Sequence, residues 1–267
     1  MNSVFWDKAL LCLLACMGLQ ALAAHARADT ITVATAATLR YAFEDIAKAF
    51  QKETGHTVKV VYGSSGNFVS QIRQGAPFDV FVAADMEYPE LLLAQGFANP
   101  PVQQYARGRL VLMVPNDSPL KPDGTLGDLK MALQDGRLKK LAIANPRLAP
   151  YGARAQEALS HIGVWEAVAP KLVVGENISQ AAQFASTGAV QGGLVALSLA
   201  MAPQLQASTR HGLVPESWHQ PLAQGVVVLK GNKPAALHLQ RFLLSAPAQS
   251  ILKRYGYEVP NAAGSAP

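Results

Sequence analysis

The segment Gly63-Ser64-Ser65-Gly66-Asn67 puts two hydroxyls and a glycine between an apolar run and the start of a helical pattern. Such a turn can offer one small anion free backbone N–H groups, the positive end of a helix dipole and hydroxyl donors, all without a charged side chain. Gly66 lets the backbone approach a ligand closely. The same residues also suit an ordinary turn and helix cap. Repetition favours the binding chemistry. Ala36-Ala37-Thr38-Leu39, Ala149-Pro150-Tyr151-Gly152-Ala153 and Gly175-Glu176-Asn177-Ile178-Ser179 share the construction, and Glu176 is the one charge in these turns. This donor set suits a compact, fully ionised oxyanion. A sugar would want carboxylates, amides and stacking aromatics, and an amino acid a carboxylate for its ammonium. Hydrogen phosphate keeps a proton that needs an acceptor, so Glu176 leaves phosphate disfavoured rather than excluded. Molybdate, tungstate and sulfate carry no such proton.

The elements that must position these turns alternate. Strand patterns cover Thr30–Ala34, Val58–Tyr62, Phe78–Ala83, Leu110–Val114, Leu141–Ala144, Leu172–Val174, Gly193–Leu197 and Val226–Leu229. Helical spacing covers Leu39 to Phe50, Asn67–Gln74, Pro89–Gln95, Leu126–Gln134, Gly152–His161, Ser179–Ser186, Pro234–Leu244 and Pro247–Tyr255. Alternation of this kind predicts mostly parallel sheets flanked by helices, with ligands beyond the carboxyl ends of the strands. About nine to ten strands suit two smaller sheets better than one. The expected fold is α/β and two-lobed, with one lobe at 29–108 plus 222–267 and the other at 109–221. Leu110–Val114 and Val226–Leu229 are the expected crossings between lobes. Two of the four turns fall in each lobe.

Residues 1–28 read as a secretory signal peptide. Lys8 precedes an apolar run, and Ala26-Arg27-Ala28 offers a cleavage site before Asp29. Lipoprotein processing at Cys16 is a weaker alternative. Cleavage takes away both cysteines, Cys12 and Cys16, so the exported chain must rely on its core. Of the net charge of +5, the leader carries one unit, through Lys8 and Arg27 against Asp7. The remaining excess is scattered, without a basic run, and does not suggest nucleic acid.

Beyond the four turns, longer stretches resemble the periplasmic molybdate-binding proteins of molybdate ABC transporters. They are Ile31–Leu39, the run from Gln71 to Asp85 through Gly75-Ala76-Pro77-Phe78-Asp79, Leu141–Gly152, Gly175–Gln180 and Arg254-Tyr255-Gly256-Tyr257. The resemblance spans Ile31 to Tyr257. It implies a two-lobed, type II-like periplasmic binding protein that closes on a tetrahedral oxyanion, molybdate or tungstate. Oxyanion contacts then fall to Thr38 and Ser65 on one lobe and to Tyr151 and Ile178 on the other, Ile178 through its backbone N–H. Ser64 and Asn67 are further candidates. Some members use a tyrosine where this chain has Ala196, so that contact is missing here. The implied partners are a transmembrane permease and its cytoplasmic ATPase. The molybdate is ligand rather than cofactor, and a monomer is expected.

Other readings stay open on the residues alone. The receptor could serve sulfate. Ser64 or Ser65 could be the nucleophile of an exported hydrolase, although no histidine lies in a partner motif and no G-x-S-x-G is present. His56, His161, His211, His219 and His238 have no metal-ligand spacing, so no metal-cation site is expected. Asp85 could be catalytic, but it better suits capping the next segment or tying a hinge. Trp165 reads as lobe core. Thr38 and Ser65 could serve as helix caps alone.

Overall fold

The computed structural model describes residues 28–231 and 233–260. The leader with Cys12 and Cys16, and the tail from Asn261, lie outside the described residues. Ten strands occur among those described: β1 (Thr30–Ala36), β2 (Thr57–Gly63), β3 (Val80–Val82), β4 (Ala98–Arg107), β5 (Leu110–Pro115), β6 (Leu141–Ala144), β7 (Leu172–Gly175), β8 (Gly192–Ala196), β9 (Thr209–Leu213) and β10 (Ala223–Leu229). The helices of two turns or more are α1 (Arg40–Thr54), α2 (Ser65–Arg73), α3 (Glu87–Ala94), α4 (Gly127–Gln134), α5 (Pro150–His161), α6 (Ile178–Ser186), α7 (Pro234–Leu243) and α8 (Ala246–Arg254).

The strands form two five-stranded sheets of like design, ordered β2-β1-β3-β10-β4 and β7-β6-β8-β5-β9. The sheets are mixed rather than simply parallel. β1 pairs in parallel with β2 and β3, whereas β10 pairs antiparallel with β3 and β4. β6 pairs in parallel with β7 and β8, whereas β5 pairs antiparallel with β8 and β9. In each sheet four strands therefore share one direction and one runs against them. The reversed strands are β5 and β10, the two expected crossings. A strand arriving from the other lobe enters at the end where its neighbours leave, so it must run against them.

Side-chain alternation accounts for the layers of the first lobe. Val33, Val80 and Val228 lie in register on one face, while Ala34, Phe81 and Val227 lie on the other. The first face packs with Phe43, Ile46 and Phe50 of α1, Leu239 of α7 and Leu252 of α8. The second packs with Phe68, Val69 and Ile72 of α2 and Leu92 of α3. All of these are nearly or fully buried, and each Val, Leu, Ile and Phe among them contributes roughly 1.5–3 kcal/mol relative to exposure. The second lobe has its own core around Leu112, Ile143, Leu159, Ala182 and Val195.

Two strands escaped the sequence pattern, β4 and β9, and both lie at sheet edges. Pro100 and Pro101 have no N–H for a ladder, which an edge strand tolerates and a central one does not. β9 reads Thr-Arg-His-Gly-Leu and shows no apolar alternation.

Candidate oxyanion-binding site

The four helix-start turns meet at one small cavity between the lobes. Its lining comes from Ala36 and Ala37 of the first turn, Gly63, Ser64 and Ser65 of the second, Ala149, Pro150 and Tyr151 of the third, Ile178 of the fourth, and Ala84 after β3. No charged side chain lines it. Each turn reaches the cavity because it leaves the carboxyl end of a parallel strand and starts a helix: β1, β2, β6 and β7 supply the strands, and α2, α5 and α6 three of the helices. The first turn is a 3-10 turn over Ala37–Leu39 that runs into α1.

Ser65, Tyr151 and Ile178 are all buried and line this cavity. α2 begins at Ser65, two residues before the expected start, so Ser65 and Gly66 form its first turn. The Ser65 hydroxyl accepts from the Ala84 N–H at 3.1 Å, which leaves its own proton to donate. Ser64 takes the cap position but makes no side-chain cap bond, and its buried Oγ has no partner within the protein. A buried hydroxyl without a partner is costly unless something else satisfies it. Ile178 is the first residue of α6, where a backbone N–H has no intrahelical partner. Asn177 caps that helix, its Oδ1 accepting from the Gln180 N–H at 3.1 Å.

Thr38 and Asn67 are placed differently from expectation. Thr38 is buried but does not line the cavity. Its Oγ1 lies 3.0 Å from both the Ser198 and the Tyr257 hydroxyls, and these two donate to the Thr38 carbonyl at 2.8 and 2.9 Å. Its side chain therefore braces the first turn from behind. Asn67 sits at the third position of α2, is half-buried, and is not part of the cavity lining. Glu176 is exposed and also lies outside the lining.

The lobes meet through backbone as well as side chains. The Gly66 N–H donates to the Leu148 carbonyl at 2.8 Å across the cleft. Ser179 Oγ donates to the Ala37 carbonyl at 2.8 Å. The Tyr151 hydroxyl accepts from Gln224 Nε2 at 3.1 Å, and Tyr105 donates to Gln224 Oε1 at 2.7 Å. Burial pushes the phenols of Tyr151, Tyr105 and Tyr257 well above their ordinary range, although hydrogen bonds from Thr38 and Gln224 partly offset it at Tyr151. All three therefore remain protonated near neutral pH. Ser198, Gln224 and Tyr105 carry no signal in the sequence, because each acts only through a partner far away in the chain, and Tyr257 is legible only within the stretch Arg254-Tyr255-Gly256-Tyr257.

Asp85 follows β3 and accepts from the Tyr88 N–H at 3.2 Å, capping the start of α3, while its carbonyl accepts from the Gly225 N–H of β10. Burial raises its pKa from 3.8 to about 6, against the opposing pull of the Tyr88 bond. A carboxyl with a raised folded-state pKa costs stability above that pKa and regains it as pH falls through about 6 toward 4. Asp85→Asn should therefore stabilise the protein by ~1–3 kcal/mol at pH 7 and have little effect near pH 4. Urea unfolding at several pH values checks this, and an equal shift at both ends of the range would count against it.

Among the described residues, no group of three or more His, Cys, Asp or Glu could hold a metal cation. A profile of the bacterial extracellular solute-binding protein matches residues 31–258. The molybdate-binding protein ModA of Azotobacter vinelandii is 40% identical over 248 residues, covering 92% of this chain and 96% of the relative. The molybdate-binding protein ModA of Rhodobacter capsulatus is 38% identical over 239 residues, covering 88% and 91%. In structure, the periplasmic molybdate-binding protein of Azotobacter vinelandii superposes with a TM-score of 0.78 at 31% identity, over 86% of this chain and 100% of that one. With its fold matched and its sequence aligned nearly end to end, the chain belongs to the bacterial extracellular solute-binding protein family.

Proposed function

We propose that this chain is a periplasmic receptor for molybdate, and for tungstate as a near match in shape and charge. It delivers the oxyanion as cargo to a transmembrane permease driven by a cytoplasmic ATPase. The observation that carries this reading is the meeting of four helix-start turns from two lobes at one uncharged, donor-lined cavity. The relatives named for molybdate binding support the choice of ligand. The contacts are the Ser65 and Tyr151 hydroxyls and the Ile178 N–H, with Ser64 as a further donor and Thr38 bracing its loop. A receptor rather than a serine hydrolase fits the family, and it fits Ser65, whose hydroxyl is held by the Ala84 N–H.

In this reading residues 29–108 plus 222–267 form one lobe and 109–221 the other. The cavity is only about 10 Å³, room for about one water. A four-oxygen anion needs more, so its entry requires the lobes to part and close again around it. Export follows from the leader with cleavage before Asp29, anchoring at Cys16 being the alternative, and the protein acts as a monomer.

Calorimetric titration of the anion-stripped mature protein with molybdate, tungstate, sulfate and phosphate tests the proposal. Tight one-to-one binding of the first two, with sulfate far weaker, is expected. Binding of sulfate or phosphate alone would keep the site and change the ligand. No heat with any of the four would remove the reading. Ser65→Ala should weaken molybdate by ~1–3 kcal/mol, the scale of a hydrogen bond to a charged group. Unchanged affinity would place the ligand elsewhere.

A further inference from the structure

A second cavity also crosses from one lobe to the other, and at about 410 Å³ it is far larger than the oxyanion cavity. Arg40 and Tyr41, at the start of α1, line it from one lobe. Asn177, Gln180 and Gln183, on α6 and its cap, line it from the other, and Ala182, Leu199 and Leu205 add apolar surface. The two cavities share no lining residue. Ser179 of the larger one donates to the Ala37 carbonyl of the smaller one, which joins their walls.

The polar groups left over in this groove are mainly donors. A backbone N–H can only donate, so it fixes the amide it meets. Asn177 Oδ1 accepts from the Gln180 N–H at 3.1 Å, and Gln180 Oε1 accepts from the Glu176 N–H at 2.7 Å. Each side chain keeps an unspent NH2 group. Ser179 and Ser186 spend their protons on the Ala37 and Gln183 carbonyls. Across the groove, the Arg40 guanidinium lies 5.2 Å from the centre of the Tyr62 ring, a cation–π contact that steadies it. It forms no ion pair among the described residues. No carboxylate lines the groove, since Glu44, one turn beyond Arg40, and Glu176, beside Asn177, both lie outside the lining.

We propose that this groove is a second binding site, for a small organic carboxylate held by Arg40 of one lobe and by Asn177 and Gln180 of the other. A carboxylate accepts two parallel bonds from a guanidinium and further bonds from amide NH2 groups. The apolar surface of Ala182, Leu199 and Leu205 suits a carbon skeleton, which a bare inorganic anion lacks. Because the ligand touches both lobes, it binds the closed arrangement better than the open one. It therefore strengthens oxyanion binding, and by linkage the oxyanion strengthens carboxylate binding. Only this coupling rests on the oxyanion-receptor reading; occupation of the groove does not.

The test is titration with molybdate in sodium succinate and in sodium chloride of equal ionic strength, for the unmodified mature protein, Arg40→Gln and Gln180→Glu. Gln180→Glu keeps an oxygen for the Glu176 N–H and removes the NH2 donor. Neither residue lines the oxyanion cavity. Succinate should raise molybdate affinity about fivefold or more in the unmodified protein and by less than about twofold in either variant, with melting temperatures unchanged. Succinate titrated alone, followed by NMR of the Asn177 and Gln180 side-chain NH2 signals, reads the groove without the oxyanion. Those signals should shift in the unmodified protein and stay still in Arg40→Gln. Molybdate affinity that is equal or lower in succinate overturns the proposal, as do NH2 signals that never move or variants that respond like the unmodified protein. If the signals move but molybdate does not bind at all, the groove stands and it is the receptor reading that fails.

Discussion

Gly66→Val should leave both lobes folded and weaken oxyanion binding by roughly 30- to 1000-fold, the equivalent of about 2–4 kcal/mol. A Cβ on Gly66 would lie 2.9 Å from the Leu148 carbonyl oxygen and 2.9 Å from the Tyr88 hydroxyl. Tyr88 can swing away. Leu148 is backbone on the opposite lobe, so the overlap is relieved most easily by holding the lobes apart. The same movement breaks the Gly66 N–H bond to Leu148, worth about 1 kcal/mol, and steric overlap in a packed contact adds ~1–3 kcal/mol. Only the closed state bears these costs, so they fall on ligand affinity rather than on folding. Titration with molybdate reads the affinity, small-angle scattering reads the separation of the lobes, and calorimetric melting reads the fold. Wild-type affinity in this variant would mean that closure does not bring Gly66 against Leu148.

The second large effect is expected at Gly152, where even alanine should be damaging. A Cβ there would sit 2.3 Å from the Ala144 carbonyl oxygen and 2.8 Å from the Ala144 and Asn145 carbonyl carbons. None of these atoms can give way cheaply, because Ala144 ends β6 and lies in register with Gly175 of β7. α5 would have to lift off the sheet and carry Pro150 and Tyr151 with it. Gly152→Ala should cost about 3 kcal/mol of stability or more, at the upper end of overpacking effects, and abolish measurable molybdate binding. The contrast with Gly66→Val is diagnostic. One variant separates binding from stability, whereas the other loses both. A urea midpoint for Gly152→Ala equal to that of the unmodified protein would show that α5 can move without cost.

Much of this protein could be read from the chain, because much of it is local. Strand Leu141–Ala144 is four consecutive buried apolar residues, and its limits were legible directly. The helix over Arg40–Thr54 ends where Gly55 adopts φ 75°, a conformation that glycine accepts easily. The four turns were visible because hydroxyls, glycines and helix starts share short stretches of sequence. β4 and β9 were not legible, because Pro100 and Pro101 interrupt the first and Thr-Arg-His-Gly leaves the second without apolar alternation, whereas the edge strands β2 and β7 keep their valines. The start of α2 was missed by two residues because Ser65 and Gly66 are weak helix formers, held there by the Ala84 N–H and the Leu148 carbonyl.

What the sequence could not supply was which way each polar group faces. Thr38 looked like a ligand contact, yet Ser198 and Tyr257 hold it, 160 and 219 residues away in the chain. Asn67 looked available and does not line the cavity. Gln224 and Tyr105 fall outside the strands that the sequence pattern marks, and yet both are buried and hydrogen-bonded to each other, with Gln224 reaching on to Tyr151. Sequence alone determined most of the elements, the two-lobed α/β class and the turns that supply donors, because periodicity and turn chemistry act over a few residues. Tertiary structure alone decided the reversed crossing strands, the size of the cavity and which polar side chains line it. Those depend on hydrogen bonds between residues that only the folded chain brings together.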